Sequence, residues 1–192
     1  MVISCTNDSS RIDNNIVNNG ILADDENIVT CASSEDLPAR DGSPPETTTD
    51  IPHMQLGGFE QIPQVIEELF RRVYSIPGIE NRESAILGWR ALWLTEEVNI
   101  VVPEALIRDR EFGHIHDDAS LHIFLEPTRS NQAVSACWAI FHPFAVQNLP
   151  EWNGFVMLYT PQSIEELNVT FQLIVEAFNY VTGQNLVATD YY

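Results

Sequence analysis

Two short runs in which histidine alternates with apolar residues most constrain the fold of this chain. Residues 110–116 read Arg-Glu-Phe-Gly-His-Ile-His, and residues 120–125 read Ser-Leu-His-Ile-Phe-Leu. Because successive side chains of a β-strand point to opposite faces, His114 and His116 lie on the same face. Residues 117–120, Asp-Asp-Ala-Ser, join the two runs and predict a hairpin turn.

The apolar residues decide between two registers of this hairpin. Pairing His116 with Leu121 would place His122 on the face opposite to His114 and His116. Pairing His116 with His122 places all three imidazoles on one face and keeps the apolar residues of both runs on the other. A shift of one residue exchanges the two faces, so the unbroken apolar face favours the second register. We therefore expect an apolar face and a histidine face, with His116 opposite His122.

The charge of the chain excludes several classes of partner. The 192 residues have a net charge of -19, and all nine basic residues are arginine. An acidic surface disfavours nucleic acid and anionic membranes as partners. The N-terminus lacks the pattern of a secretory signal, and no apolar run approaches the roughly 20 residues of a membrane span. The sequence therefore predicts a soluble, cytoplasmic protein, with no nucleic-acid or membrane partner and an oligomeric state that the sequence leaves open.

The composition predicts one domain preceded by a tail. Residues 1–50 are rich in Asn, Asp, Ser and Thr and contain no aromatic residue. Such a segment buries too little apolar surface to offset its ordering entropy, so we expect a disordered tail at 1–50 and a domain at 51–192. The three cysteines, Cys5, Cys31 and Cys137, are odd in number and widely spaced, which indicates no disulfide framework. We expect Cys137 to be a buried thiol.

The apolar periodicity within residues 51–192 predicts an α+β fold. Helices are expected at 61–75, at 127–138 and between the capping residue Ser163 and Gly183. Strands are expected at 79–86, 91–95, 98–102 and 154–160, in the two runs of the hairpin, and in an extended segment at 138–144. This pattern predicts an antiparallel sheet with about three helices packed mainly on one face.

The histidine face allows three interpretations. Three imidazoles can be metal ligands, they can line a polar pocket without a metal, or they can lie on the surface. Of these we favour the metal-free pocket. A histidine whose pKa is near neutral is also a natural general base. Neither a glycine-rich phosphate loop nor a Gly-x-Ser-x-Gly elbow occurs, which argues against nucleotide chemistry and a serine hydrolase.

Further residues outside the three histidines are candidates for the same pocket. Arg110 forms either a surface ion pair or an anion-binding group in the pocket. His142 precedes a proline, which favours an extended backbone and could hold a fourth imidazole rigidly. Tyr159 ends a buried strand, so its hydroxyl either is satisfied in the core or faces the pocket.

The order of motifs from residue 110 onward resembles the luciferase-domain family, to which the fungal luciferases belong. The motifs that carry the resemblance are residues 110–116, 121–122, Trp138, 142–145, 155–161 and 165–166. The likeness spans roughly residues 52–181 and is strongest from residue 110. Two positions depart from the family pattern: Cys137 stands where relatives often carry glycine, and Gln162 stands where arginine is common.

The resemblance implies an enzyme that needs no cofactor and no metal. In the fungal luciferases of this family, O₂ adds to a hydroxylated hispidin-type α-pyrone, and loss of carbon dioxide gives a light-emitting product. The expected partners are therefore a small-molecule substrate and O₂. The expected catalytic residues are His114, His116 or His122 as the base and Arg110 as the cation that stabilises the enolate and peroxide. The expected substrate-binding residues are Glu111, Phe112, Phe124, Trp138, His142 and Tyr159.

Two alternatives remain at the level of the sequence. A domain of the same fold could bind a small molecule without catalysis, and a metal-dependent enzyme could use the three-histidine face. Oxygen consumption with a hydroxypyrone separates catalysis from binding. Bound metal in the purified protein would identify the metal-dependent enzyme.

Overall fold

The computed structural model describes residues 30–34, 36–86, 88–147 and 150–192, and these residues form an α+β fold. The elements in chain order are α1 (Pro63–Val73), β1 (Ile79–Glu83), β2 (Arg90–Leu94), β3 (Glu111–Ile115), β4 (Leu121–Phe124), α2 (Pro127–Ser135), β5 (Ala139–Phe141), α3 (Pro143–Val146), β6 (Phe155–Leu158) and α4 (Ile164–Thr182). Within the described ranges the six strands form one antiparallel sheet in the order β1-β2-β3-β4-β6-β5. The predicted fold class is confirmed.

The three long helices lie where the periodicity predicted them, with ends shifted by a few residues. The Ser163 hydroxyl caps α4 by accepting a hydrogen bond from the backbone N–H of Glu166, and Gly183 ends the helix with a positive φ of 70°. One strand prediction fails, because residues 98–102 form a turn that donates backbone hydrogen bonds to the carbonyl of Val181. The extended segment predicted at 138–144 is present as β5 but ends sooner, at His142, which caps α3.

The hairpin of β3 and β4 has the predicted faces but not the predicted pairing. His114 lies opposite His122, and Ile115 lies opposite Leu121. The loop is shorter than we expected, because the backbone N–H of His116 donates to the carbonyl of Ser120 at 2.8 Å. A left-handed residue, Ala119 with φ 67°, closes this loop. The register differs from the prediction by two residues, an even number, so all three imidazoles still share one face.

A β-bulge in β3 interrupts the alternation of side chains. Leu92 of β2 lies opposite Gly113, whereas the next residue, Trp93, lies opposite Glu111, so Phe112 is an extra residue in β3. An extra residue bends the strand and changes which side chains face which way. Phe112 consequently packs in the core, with its ring centroid 6.0 Å from that of Phe178 in α4.

The described part of the predicted tail packs against the domain, which corrects the boundary at residue 51. Leu37 is only 1% exposed and belongs to the hydrophobic core. The backbone N–H groups of Ala32 and Arg40 donate to the last carbonyl of α2 and to the carbonyl of its C-cap residue, at 2.8 and 2.9 Å. The Arg40 guanidinium also forms a salt bridge of 2.9 Å with Glu166. The composition of this segment could not predict these contacts, because a few buried anchoring residues are enough to order a polar segment. Residues 1–29 lie outside the described residues.

A disulfide between Cys31 and Cys137 ties this segment to the turn after α2, with 5.4 Å between the two Cα atoms. The prediction of a buried Cys137 thiol is therefore wrong. Cys137 also has a positive φ of 63°, a conformation that glycine adopts without steric cost. Disulfides persist mainly in oxidising compartments, so this bond does not favour the cytoplasmic prediction. In the described part of the chain, no helix is long and apolar enough to cross a membrane.

Truncating Leu37 tests whether the segment before residue 51 belongs to the folded domain. We expect Leu37→Ala to lower the free energy of unfolding by about 2–5 kcal/mol, the usual cost of a large-to-small change in a core. Leu56→Ala is the matched control, since Leu56 is 61% exposed, and it should change stability by about 0.5 kcal/mol or less. Urea unfolding of both variants measures the difference. Equal stability of the two variants would show that the segment does not pack.

Candidate active site

All five histidines of the chain meet in one buried cluster on the histidine face of the sheet. The centre of the cluster is His122 of β4, whose ring centroid lies 5.3 Å from that of His114, 4.8 Å from His116, 5.3 Å from His53 and 4.9 Å from His142. His114 lies on β3 and His116 immediately after it, while His142 precedes α3. His114, His116 and His122 lie on one face of the hairpin, as predicted, and this face thus supplies three of the five imidazoles.

His53 reaches the cluster from a short strap, which we define as residues 47–55. The ends of the strap pair through a bridge between Thr47 and Gln55. Inside it the hydroxyl of Thr48 donates to the carbonyl of Pro52 at 2.8 Å and accepts from the backbone N–H of Met54 at 2.9 Å. These bonds shape the strap so that His53 is buried against the sheet, although it precedes the first residue of the hairpin, Glu111, by 58 residues.

The carboxylate of Glu111 fixes the tautomer of His114. Glu111 is fully buried and accepts hydrogen bonds from the Ser84 hydroxyl at 2.8 Å and from the backbone N–H of Ala85 at 2.9 Å. One of its oxygens lies 3.0 Å from Nδ1 of His114. An ionised carboxylate only accepts, so Nδ1 of His114 carries the proton and Nε2 carries a free lone pair.

A second hydrogen-bond chain fixes the tautomer of His116. The Ser120 hydroxyl donates its only hydrogen to Asp118 at 2.7 Å and lies 2.9 Å from Nδ1 of His116. Ser120 must therefore accept from His116, which leaves a lone pair on Nε2. This Nε2 atom is buried and has no hydrogen-bond partner among the described residues.

The remaining histidines have different environments. His122 places Nδ1 at 3.3 Å from the carbonyl of Val156 and Nε2 at 3.2 Å from the carbonyl of His53, and a neutral imidazole can donate to only one of them. His142 uses Nδ1 to accept the backbone N–H of Phe144 at 3.2 Å, so its proton sits on Nε2. His142 thereby serves as the N-cap of α3.

Burial favours the neutral form of four of these imidazoles, those of His53, His116, His122 and His142. It lowers the pKa of His116 from 6.5 to about 3, and those of His53 and His142 to about 4. The pKa of His122 also falls well below 6.5, because of burial first and the neighbouring imidazoles second. An uncharged imidazole has a lone pair available to accept a proton or to bind a cation at neutral pH.

The cluster forms one wall of an apolar cavity of about 180 Å³. His53, His114, His122 and His142 line it. The other walls are aromatic or aliphatic: Ile51, Pro52, Ile86, Trp89, Ile107, Phe144, Trp152 and Phe155. A cavity of about 150 Å³ holds a benzene ring, so this one has room for about one aromatic ring. A larger ligand would have to extend through the mouth.

The structure brings several of the predicted site residues together. His114, His122 and His142 line the cavity, and His116 lies beside it with its ring centroid 4.3 Å from that of Trp89. Phe124 stands one layer behind, stacked on Phe155 with 4.6 Å between the ring centroids. Glu111 does not line the cavity but lies beneath His114, in contact with its Nδ1 atom.

Arg110 lies elsewhere, which corrects its predicted role as an anion-binding group. Its guanidinium donates to the carbonyls of Leu94 at 2.9 Å, Thr95 at 2.5 Å and Val98 at 2.5 Å, at the end of β2. We had placed Arg110 on the histidine face by counting alternate residues back from His114. The bulge at Phe112 breaks this count, so Arg110 points away from the cavity.

Three further predicted binding residues are distant from the cavity lining. Phe112 is in the core, as described above. The indole N–H of Trp138 donates to the carbonyl of Pro38 at 2.6 Å, and the Tyr159 ring lies 5.7 Å from the Arg40 guanidinium. Trp138 and Tyr159 therefore contact the N-terminal segment that we had expected to be disordered.

Sequence reasoning missed His53, Trp89 and Trp152, and it used Phe155 only as a motif residue. One signal could have identified His53. The chain has only five histidines, and because four of them were already predicted to lie in the site, the fifth was a candidate for it as well. Trp89 carried no such signal, since it stands in the short link that leads into β2.

Comparison with known proteins identifies the family that the motifs resemble. The family model of the luciferase domain matches residues 109–177. A luciferase from Armillaria mellea is 30% identical over 170 residues, which cover 77% of this chain and 62% of that luciferase. The chain carries a luciferase domain. The resemblance noted in the sequence is thereby confirmed, although the chain spans less than two thirds of the length of this relative. No solved structure matches the chain significantly.

The matched residues of the luciferase domain include both strands of the histidine hairpin and His142. His53 and Trp89, which also line the cavity, precede the matched range. The cavity of this luciferase domain therefore depends on residues that lie outside the family's matched segment.

The neutral histidines predict that the domain loses stability in mild acid. Their pKa values in the folded state lie below 6.5, so the unfolded chain binds more protons between about pH 6.5 and pH 4. The free energy of unfolding should therefore fall as pH decreases through this window, by at most about 1.4 kcal/mol per pH unit for each histidine. Urea unfolding at pH 7 and pH 5, in the presence of a chelator, measures the change.

The matched control for this prediction is His53→Gln, which removes one of the neutral imidazoles. The stability of this variant should depend less steeply on pH between 7 and 5. Identical pH dependence of the variant and the wild type would contradict a neutral, buried His53.

Proposed function

We propose that this luciferase domain binds a flat, hydroxylated conjugated ring of the α-pyrone type and catalyses its oxidation by O₂ without a bound cofactor. The family match supports a small-molecule substrate. The observation that carries the proposal is the pairing of Glu111 with His114, which leaves an imidazole lone pair at the wall of an aromatic cavity. This arrangement suits the removal of a proton from a bound ring.

We assign His114 as the general base. A ring hydroxyl gives its proton to Nε2 of His114, which becomes an imidazolium. The Glu111 carboxylate, 3.0 Å from Nδ1, stabilises that charge in the same way as the carboxylate of a catalytic triad. His116 and His122 surround His114 as neutral imidazoles and complete the polar wall.

The deprotonated ring is electron-rich and is itself the reductant of O₂. A carbon–oxygen bond forms between the ring and O₂, which takes two electrons from the ring and becomes a peroxide. Cleavage of the peroxide O–O bond, together with the carbon–carbon bond that holds the lactone carboxyl carbon in the ring, expels that carbon as carbon dioxide and releases the energy. Among the described residues no arginine lines the cavity. The imidazolium of His114 is therefore the counter-charge for the enolate, in the place that we had first given to Arg110.

The shape of the cavity favours one planar ring. Trp89, Trp152 and Phe155 provide aromatic surfaces that can stack on a conjugated ring and exclude water. Ile51 and Ile86 are 56% and 50% exposed. Because both also line the cavity, we place them at its mouth, where they would contact the part of a longer ligand that extends beyond the first ring.

Removal of the base tests this function. We expect His114→Ala to lower the rate of O₂ uptake with a hydroxylated α-pyrone by about 10²-fold or more, because general bases contribute about 10²–10⁴-fold. Glu111→Gln should lower kcat in the same direction with little change in KM, since Glu111 acts through His114. Oxygen electrode traces, light emission and circular dichroism melts of each variant provide the measurements.

Two variants serve as controls for this experiment. Arg82 is an exposed residue of β1 that pairs with Glu80, and Arg82→Ala should leave turnover unchanged. Arg110→Ala should lower stability, because three carbonyls lose their donor, while the folded protein keeps its turnover. Full activity of His114→Ala, or its loss only in Arg110→Ala, would overturn the assignment of the base.

A non-catalytic binding domain is the alternative of a different class. The apolar cavity supports it equally, because stacking on Trp89 and Trp152 needs no proton transfer. Quenching of tryptophan fluorescence by a hydroxylated α-pyrone, without O₂ uptake or light, would identify binding alone.

A further inference from the structure

The lone pairs on His114 and His116 have a second chemical capacity besides accepting protons. His114 donates its Nδ1–H directly to the carboxylate of Glu111. His116 donates its Nδ1–H to the hydroxyl of Ser120, which in turn donates to the carboxylate of Asp118. Histidines that bind metal ions usually donate their other ring nitrogen to a carboxylate, a carbonyl or water in this way. His122 has carbonyl oxygens beside both of its nitrogens, so it too can donate one and leave the other free.

Buried charge provides a second, independent observation. Glu111 and Asp118 are buried carboxylates, 0% and 7% exposed, and their recorded hydrogen bonds come from neutral groups and histidine. Among the described residues neither carboxylate has a salt bridge with an arginine. Buried charges are normally paired or coordinate metals. A divalent cation between His114 and His116 would balance both carboxylates.

We propose that His114, His116 and His122 bind one divalent transition-metal ion such as Zn²⁺. This ion inhibits the oxidation of the hydroxylated α-pyrone ring. Imidazole nitrogens suit Zn²⁺, and a site with three histidines leaves a fourth position for water. The ion occupies the lone pair that His114 needs as a base, which is why it inhibits.

The distances fit a site that closes around the ion. One nitrogen from each of the three histidines lies within 4.8 Å of the other two. Tetrahedral ligands at about 2.0–2.1 Å from Zn²⁺ lie about 3.3 Å apart. The rings must therefore move together by about 1.5 Å at most, which small rotations about the side-chain bonds provide. The buried, unpartnered Nε2 of His116 would gain its missing partner.

A second set of three histidines, His53, His122 and His142, has nitrogens at similar separations but is less suited to bind the ion. Nδ1 of His142 already accepts the backbone N–H of Phe144, and binding through Nε2 would require the proton to move to Nδ1 and this cap to break. His142 therefore gives a matched control for the metal site within the same cluster.

Titration of the chelator-treated, full-length protein with Zn²⁺ tests the site without any organic substrate. We expect one Zn²⁺ per chain by calorimetry. His116→Ala should weaken binding by more than 100-fold, Glu111→Gln by about 10–100-fold, and His142→Ala by only a few-fold. Co²⁺ serves as a spectroscopic probe, since its visible absorption reports histidine ligation. If His116→Ala fails to fold, Ser120→Ala keeps the imidazole and should weaken binding in the same direction.

Absence of saturable Zn²⁺ binding to the wild type, or an equal loss of binding in His142→Ala and His116→Ala, would overturn the site. The inhibition rests on the proposed function and is measured separately. One equivalent of Zn²⁺ should abolish O₂ uptake with the hydroxylated α-pyrone, and a chelator should restore it. Activation by Zn²⁺ would refute the inhibition. Because binding is measured without substrate, failure of the proposed function leaves the binding result intact.

Discussion

The rest of the site depends on the hydrogen bond between Glu111 and His114, and this bond depends on one extra residue in β3. In a regular strand, residues three positions apart point to opposite faces. The bulge at Phe112 places Glu111 beneath His114 and sends the aromatic ring of Phe112 into the core. One backbone irregularity therefore fixes the tautomer of His114, supplies the buried carboxylate and moves Arg110 to the end of β2.

The same irregularity marks the limit of what the sequence could predict. Alternation of apolar and polar residues correctly predicted the two faces of the hairpin, because the apolar side chains of Ile115, Leu121 and Ile123 must all be buried. It could not predict the pairing, which a three-residue loop closed by Ala119 determines. Counting across Phe112 gave the wrong face for Arg110, because it ignored Gly113, and an isolated glycine within a strand often marks a bulge.

The N-terminal part of the site was inaccessible to sequence reasoning for another reason. His53 and Trp89 enter the cavity through contacts between segments that are far apart in the chain, and local periodicity carries no information about such contacts. The disulfide at Cys31 and the burial of Leu37 show the same limit, because a polar segment can be ordered by a few distant anchors. The motif residues from 110 onward nevertheless sufficed to recognise the luciferase domain.

Burying five imidazoles in one cluster lowers the stability of the fold. The polar atoms that this burial leaves unpaired are available to bind a ligand. Burial without full hydrogen bonding leaves Nδ1 of His53 and Nε2 of His116 without partners in the described structure. Unpaired buried polar atoms lower stability by about 1–3 kcal/mol each, so they persist where a ligand satisfies them. In the two proposals made above, a substrate hydroxyl and a metal ion compete for the lone pair on Nε2 of His114. Their relative affinities and concentrations would decide which of them occupies it.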